Sequence, residues 1–311
     1  LEPEQLEIAI RQTQALTDRP FAINLFTPMQ KTSVSDGQVQ KAINATQSYR
    51  QKLGLSTPVV APPYHPDFEK QFPIILQTKP AVFSFIFGLL DASLIRECRR
   101  QGILTMGTAT TLEEGLALER SGVDAVIAQG VEAGAHRGMF SPEDEDPLIG
   151  TLALSRILTT HLRIPIIAAG GIMDGRGIAA ALMLGAQAAQ LGTAFLTCDE
   201  AGTSSAYRQV LLNPEKPLTR LTRAFSGRWA RGLENQFLKE MKAKSDSILP
   251  FPVQNSFTRD IRNRATQANQ SEFLSLWAGQ GVNLIRSMPA SQLINTLFQE
   301  LEEALTNQKE D

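Results

Sequence analysis

Between residue 3 and about residue 196 the hydrophobic pattern alternates between stretches with helical period and short apolar runs. Helix-period segments fall at 4–16, from Asp36 (read as a cap) to 50, from near Asp67, and at 92–100, 111–120, 149–161 and 174–184. Between them lie apolar runs at 21–25, 81–87, 103–107, 124–128, 164–168 and 188–195, each short enough to be a strand. Short apolar strands separated by helices predict a parallel sheet covered on both faces. After Cys198 this alternation stops. Residues 220–264 are rich in Arg, Lys, Phe and Gly and read as a smaller helical region. Residues 277–281 read as a loop feeding a helix, and 291–307 as a polar-faced terminal helix.

Six strands are expected where a closed (β/α)8 barrel has eight. The chain also opens inside a helix, with no strand before it. Two architectures meet this count: an open six-stranded sheet, or a barrel whose first two strands are absent from the sequence.

Composition narrows the function classes. The 311 residues carry 30 Lys+Arg against 32 Asp+Glu, a net charge of -2 that gives no electrostatic reason to expect nucleic acid as a partner. Cys98 and Cys198 lie far apart, so neither a disulfide framework nor a zinc site is expected and a cytoplasmic setting is natural. Residues 177–198 are uncharged and long enough to span a bilayer. Their midpoint changes from helix-like to strand-like at Gly185, however, and Gln187 and Gln190 interrupt the run, so no membrane span is expected.

Two kinds of local signal carry chemistry. Residues 166–172 (IIAAGGI) are an apolar run ending in paired glycines, with Asp174 placed to cap the next helix, and residues 190–193 (QLGT) repeat the arrangement one unit later. Such turns bring backbone N–H groups close to a ligand and favour phosphate. The overlapping Gly175–Ala180 match to a dinucleotide fingerprint begins after the cap rather than at the strand-to-helix turn, which argues against a nucleotide fold of that type. The second signal is residues 128–138 (AQGVEAGAHRG), where small residues surround Gln129, Glu132 and His136. An imidazole there can act as a base, or as a cation beside an anionic substrate. His65 and His161 sit where structural roles suffice. Asn24, near the end of the first strand, bonds either a ligand or neighbouring loops. The cluster Arg220, Arg223, Arg228 and Arg231 reads as a solvated helical face. There is no spaced carboxylate pair and no GxSxG elbow.

Together, residues 128–138, 168–184 (AAGGIMDGRGIAAALML), 190–193 and 222–235 (TRAFSGRWARGLEN) resemble the nitronate monooxygenase family, formerly 2-nitropropane dioxygenases, and the likeness runs over essentially the whole chain. The resemblance implies an FMN-containing TIM barrel (residues 1–213), a small helical domain over its C-terminal face (214–287) and a terminal helix returning to the barrel (288–311). It implies oxidation of alkyl nitronates, such as propionate 3-nitronate, by O2 through a flavin semiquinone. Carried over, Asn24, Gln129, Gly134, Gly171, Gln190, Leu191, Gly192 and Thr193 contact FMN, and His136 is the active-site histidine. No metal is implied, and a homodimer is left open.

Two departures from the family pattern stand out. The family's Ala-Pro-Met-bearing first strand and Gly-rich second strand have no counterpart here, and a sequence shortened at its start is the expected explanation. Ala135 stands where the family commonly has a second Gly, tolerable unless φ is positive. Rival readings are an FMN-dependent enoyl-acyl-carrier-protein reductase, an NAD(P)H:quinone reductase, or a truncated barrel that binds no flavin.

Overall fold

The computed structural model describes residues 1–29, 31–142 and 144–306. The first half runs α1 (Pro3–Leu16), β1 (Ala22–Phe26), α2 (Asp36–Lys52), α3 (Phe68–Thr78), β2 (Val82–Ile86), α4 (Ala92–Arg100), β3 (Leu104–Ala109), α5 (Leu112–Ser121) and β4 (Ala125–Gln129). Then come β5 (Ala135–His136), α6 (Thr151–His161), β6 (Ile166–Ala169), α7 (Gly175–Met183) and β7 (Ala188–Gln190). The remainder is α8 (Ser205–Leu212), β8 (Thr219–Thr222), β9 (Ala230–Leu233), α9 (Gln236–Lys242), α10 (Val253–Phe257), α11 (Arg259–Gln267) and α12 (Ala290–Thr306). The expected terminal residues 307–311 lie outside the described residues.

All six expected strands form, in one parallel sheet ordered β1-β2-β3-β4-β6-β7. Each crossover carries helix, as parallel neighbours require. Several starts are set by side-chain caps: Asp67, Asp91, Thr111 and Asp174 each accept a hydrogen bond from the first turn of the following helix. The cap of α2 is Ser35 rather than Asp36, because Ser35 and Gln38 bond each other's main chains reciprocally. The last strand is shorter than the sequence implies. It ends at Gln190, and Thr193–Phe195 coils into a 3-10 turn. Residues 177–198 therefore comprise a helix end, a strand and a turn. Among the described residues no helix is long and apolar enough to cross a membrane.

The sheet is curled. Laid flat, five spacings would separate β1 from β7 by roughly 24 Å, yet Asn24 of β1 and Gln190 of β7 line the same cavity. The central strand β4 is buried at all five positions, whereas Ala22, Asn24 and Phe26 of β1 and Ala188 and Gln190 of β7 are exposed. Among the described residues no ladder joins these two edges. Phe83 and Phe85 of β2 share a core with Ile75, Ile95, Ile103, Leu118 and Leu154 from the surrounding helices and loops, all essentially solvent-free.

The region after Cys198 departs from the helical expectation. β8 and β9 form a hairpin, and β5 adds to it in the antiparallel order β5-β9-β8. The arginine cluster is not a solvated helical face: Arg220 and Arg231 are strand residues on β8 and β9, and Arg228 and Arg231 are buried. A second core of Tyr49, Phe225, Phe237, Met241, Ile261 and Phe273 fills this unit. Tyr49 comes from α2, and the neighbouring Arg50 pairs with Asp260 at 2.6 Å, tying the two parts together.

Helix α12 packs on α7. Leu293 and Leu297 meet Met173, Ala194 and Cys198, and Glu300 accepts from Gly175 N and pairs with Arg286. Gly175 serves this contact, not a nucleotide: a β-carbon there would lie 2.3 Å from Leu301 N. Gly175→Ala is therefore expected to destabilise the protein by about 1–3 kcal/mol and to expose α12 to limited proteolysis. Urea denaturation and peptide mapping of the cut sites check this.

Candidate active site

The C-terminal ends of the six parallel strands converge on a cavity of about 510 Å³, within the usual range for a small-molecule site. Its wall takes Asn24, Ser84, Thr108 and Gln129 from successive strands, then Gly170 and Gly171, and Gln190, Gly192 and Thr193, from the two segments that the sequence marks for phosphate. Gly134, Gly171 and Gly192 thus lie at one end of the molecule. Leu191 is the exception among the expected contacts, for its side chain turns into the α12 core.

Gly170 and Gly171 adopt φ of +123° and +71°, conformations that side chains rarely take. None of the main-chain N–H groups of Gly170, Gly171, Gly192 and Thr193 has a protein acceptor among the described residues. Gly170, Gly171 and Thr193 are half-buried and Gly192 is exposed, so these four donors are open to the cavity, an arrangement that suits an anion. A β-carbon on Gly192 would meet nothing within 4 Å, so the space in front of it is open. These residues fit the phosphate end of a cofactor such as FMN.

The loop after β4 is held by side chains that sequence reading underrated. Arg137, 1% exposed, makes a two-pronged pair with Asp146 at 2.6 and 3.1 Å, and donates to the carbonyls of Gln129 and Gly130. Burial by itself raises the Asp146 pKa, but the Arg137 hydrogen bonds and charge, with the Leu148 N–H, outweigh it and hold the carboxyl below its ordinary range. Gln129 faces the cavity yet spends its amide on the same loop, donating to His136 O and accepting from Gly138 N. Glu132 accepts from Thr151 N and Oγ1 at the start of α6, a helix-end role. Asn24 lines the cavity and its Oδ1 accepts from Ser84 Oγ, its register partner on β2, so its protein partner is a neighbouring strand and not a loop.

Residues 277–281 strap the three loops together. Gln280 N donates to Glu132 O and Gly279 N to Thr193 Oγ1. Gly134 is required by this strap as well as by the cavity, since a β-carbon there would lie 2.6 Å from Gly279 N. Ala135 takes φ +62°, the condition under which its methyl carries a strain cost.

His136 sits beside the cavity rather than in its wall. The imidazole is half-buried and ringed by Phe26, Phe87, Phe251 and Trp277, with centroids 5.8–6.4 Å away; Trp277 and the adjacent Ala135 belong to the cavity wall. Its Nε2 lies 2.8 Å from Ser226 Oγ. Burial, then the charges of Arg228 and Arg262, push its pKa down to about 4. That shift favours the neutral ring at pH 7, the form in which an imidazole can accept a proton. His65 and His161 bond nearby carbonyls through Nδ1, as structural histidines do.

Sequence reading also missed Ser84, Thr108 and Tyr207 in the cavity wall. Ser84 and Thr108 lie in strand positions without a motif. Tyr207 arrives from α8, and its hydroxyl donates to Trp277 O.

The fold and cleft are those of an α/β enzyme that works on a small molecule at the C-terminal ends of its strands. The nitronate monooxygenase family model matches residues 1–300, and the chain belongs to that family of oxidoreductases. It is 39% identical over 305 residues to a probable nitronate monooxygenase of Staphylococcus haemolyticus, covering 97% of this chain and 85% of that protein. It is 40% identical over 301 residues to a nitronate monooxygenase of Paraburkholderia phytofirmans, with coverage of 95% and 82%. Its structure matches nitroalkane oxidase from Streptomyces ansochromogenes with TM-score 0.91 at 38% identity, over 98% of this chain and 87% of that one. FabK from Thermotoga maritima matches less well, with TM-score 0.74 at 26% identity over 99% and 84%.

A histidine held neutral by the fold makes stability depend on pH. The unfolded chain protonates His136 near 6.5 and the folded chain near 4, so between these values the unfolded state binds more protons. The contribution is intact above about 6.5 and is lost as pH falls through about 4. His136→Asn should therefore flatten the loss of stability over that window, as measured by urea midpoints at a series of pH values.

Proposed function

We propose that this chain is an FMN-dependent enzyme that oxidises alkyl nitronates, propionate 3-nitronate among them, with O2. The observation that carries the reading is four main-chain donors, without a protein acceptor among the described residues, at one cavity with a neutral imidazole beside it, in a member of the nitronate monooxygenase family. In this reading the scaffold is of the (β/α)8 type, with residues 214–287 over the C-terminal strand ends.

The N–H groups of Gly170, Gly171, Gly192 and Thr193 would hold the phosphate. Asn24, Gln129, Gly134 and Gln190 would lie along the flavin ring, with Leu191 contributing main chain only. FMN bound there supplies the redox chemistry that connects an organic anion to O2. The protein's part is to bind, orient and move one proton. A nitronate is already an anion, and the positive charges of Arg228 and Arg262 that depress the histidine pKa also favour it. A neutral nitroalkane must first lose its α-proton, and the neutral imidazole of His136 is the base placed to take it. The aromatic rings around it keep bulk water from the exchanging proton.

Oxygen uptake with propionate 3-nitronate on FMN-loaded protein tests the proposal; no uptake above the flavin-only control ends it. His136→Asn should retain FMN while turnover of a neutral nitroalkane falls by about 10²–10⁴-fold, read by steady-state oxygen consumption. Gly171→Asp should lose FMN, because it brings a carboxylate and strain to the phosphate position. The visible flavin absorbance retained after gel filtration measures that loss.

A further inference from the structure

His136 and Ser226 form a contact that the functional reading above does not use. Ser226 lies in the turn leading into β9 and is 1% exposed. The turn is fixed on every side. Gly227 N donates to Arg223 O, Arg223 Nε donates to Gly227 O, Gln254 Nε2 to Ala224 O, and Thr258 Oγ1 to Phe225 O. Ser226 Oγ is therefore a stationary atom, and it has three polar neighbours: His136 Nε2 at 2.8 Å, Arg228 O at 3.0 Å and Arg228 N at 3.3 Å.

A hydroxyl has one proton to give and two lone pairs to receive with. Arg228 N can only donate and Arg228 O can only accept, so the one neighbour whose role is adjustable is the imidazole nitrogen. If the hydroxyl proton went to Nε2, two oxygens would face each other at 3.0 Å with no hydrogen between them, at a residue only 1% exposed, and the carbonyl would lose this partner. If the hydroxyl donates to Arg228 O, every contact is satisfied: Arg228 N–H and His136 Nε2–H both donate to Oγ. Nδ1 of His136 has no protein partner among the described residues.

We infer that Ser226 is a positioning residue that locks His136 in the Nε2–H tautomer, so that Nδ1 is the atom that takes the substrate α-proton. The inference rests on the functional reading above for its substrate, but not for the tautomer itself. In the step, the substrate C–H bond breaks and its electron pair forms the carbon–nitrogen double bond of the nitronate. The proton joins Nδ1, giving an imidazolium whose Nε2–H remains bonded to Ser226 Oγ. The cations facing the ring, Arg228 and Arg262, favour return to the neutral state once the proton can leave. A histidine base in the wrong tautomer is a poor base even with its position intact.

Nitrogen-15 NMR of the imidazole rings tests this directly, with His136→Asn identifying which of the three histidine signals belongs to position 136. In the wild-type protein Nε2 should be protonated and Nδ1 bare at neutral pH, with a Nε2–H proton slow enough in exchange to observe. Ser226→Ala should lose that proton signal to solvent exchange. Its turnover of a neutral nitroalkane should fall by about tenfold or more beyond its fall on the preformed nitronate. Ser226→Thr, which keeps the oxygen, should restore much of both. A wild-type ring protonated at Nδ1, a Nε2–H signal that persists in Ser226→Ala, or equal losses on the two substrates would overturn the inference. If the wild-type protein oxidises neither substrate, the functional reading fails and the ring spectrum alone decides for Ser226.

Discussion

Arg137 holds the site open at its centre. The loop after β4 turns away from the sheet just where the main-chain carbonyls of Gln129 and Gly130 would be left in a dry interior, an expensive condition for any backbone group. The planar fork of a guanidinium meets them and the Gln129 side-chain oxygen on one edge, and grips the Asp146 carboxylate on the other. A lysine has no such geometry. The pair is valuable less for net stability, which buried ion pairs rarely supply, than for specifying one path for the chain. That path delivers Gly134 to the cavity and His136 to Ser226.

From this fixed loop the rest of the site follows by mutual bracing. The 277–281 strap bonds the β4 loop through Glu132 O and the β7 loop through Thr193 Oγ1, and passes against the β6 loop, where Gly281 packs on Gly171 O. Three loops that diverge in sequence are thereby held at one distance from one another. The free N–H groups at Gly170, Gly171, Gly192 and Thr193 can then act together on a single anion. A net charge of -2 gives no hint of this, because selectivity here comes from local fields. Arg228 and Arg262 sit close to a half-buried imidazole, where little solvent screens them. In the proposed reaction these charges, together with burial, keep the base unprotonated and also favour the anion that it would generate.

Some of this could be read without a structure. Period and length were enough for the six parallel strands, because a strand buried on both faces must be a short apolar run and a covering helix must be amphipathic. The Asp174 cap and the paired glycines followed from local rules that operate within a few residues. The clustering of Asn24, Gln129, Gly134, Gly171, Gln190, Gly192 and Thr193 came from their shared position at strand ends, which a parallel α/β order enforces. Family likeness added the nitronate chemistry.

Tertiary structure decided the matters that depend on partners distant in the chain. The arginines after residue 219 look like a solvated face because charged residues usually are; contacts such as those of Arg228 with Met139 O and the Phe87 ring, and of Arg231 with Val131 O and Thr219 Oγ1, give them reason to be buried. β9 lies between β5 and β8 and is buried at all four positions, Arg231 included, so it shows neither the alternation nor the apolar run by which a strand is recognised. The protonation state of His136 and the choice between its two nitrogens depend on Ser226, Arg228 and Arg262, residues 90 or more positions away. The sequence determined which groups stand at the strand ends, because that depends on neighbours along the chain. The structure determined which of them ionise, which hold the backbone and which remain free for a ligand, because those properties depend on desolvation and on contacts made across the fold.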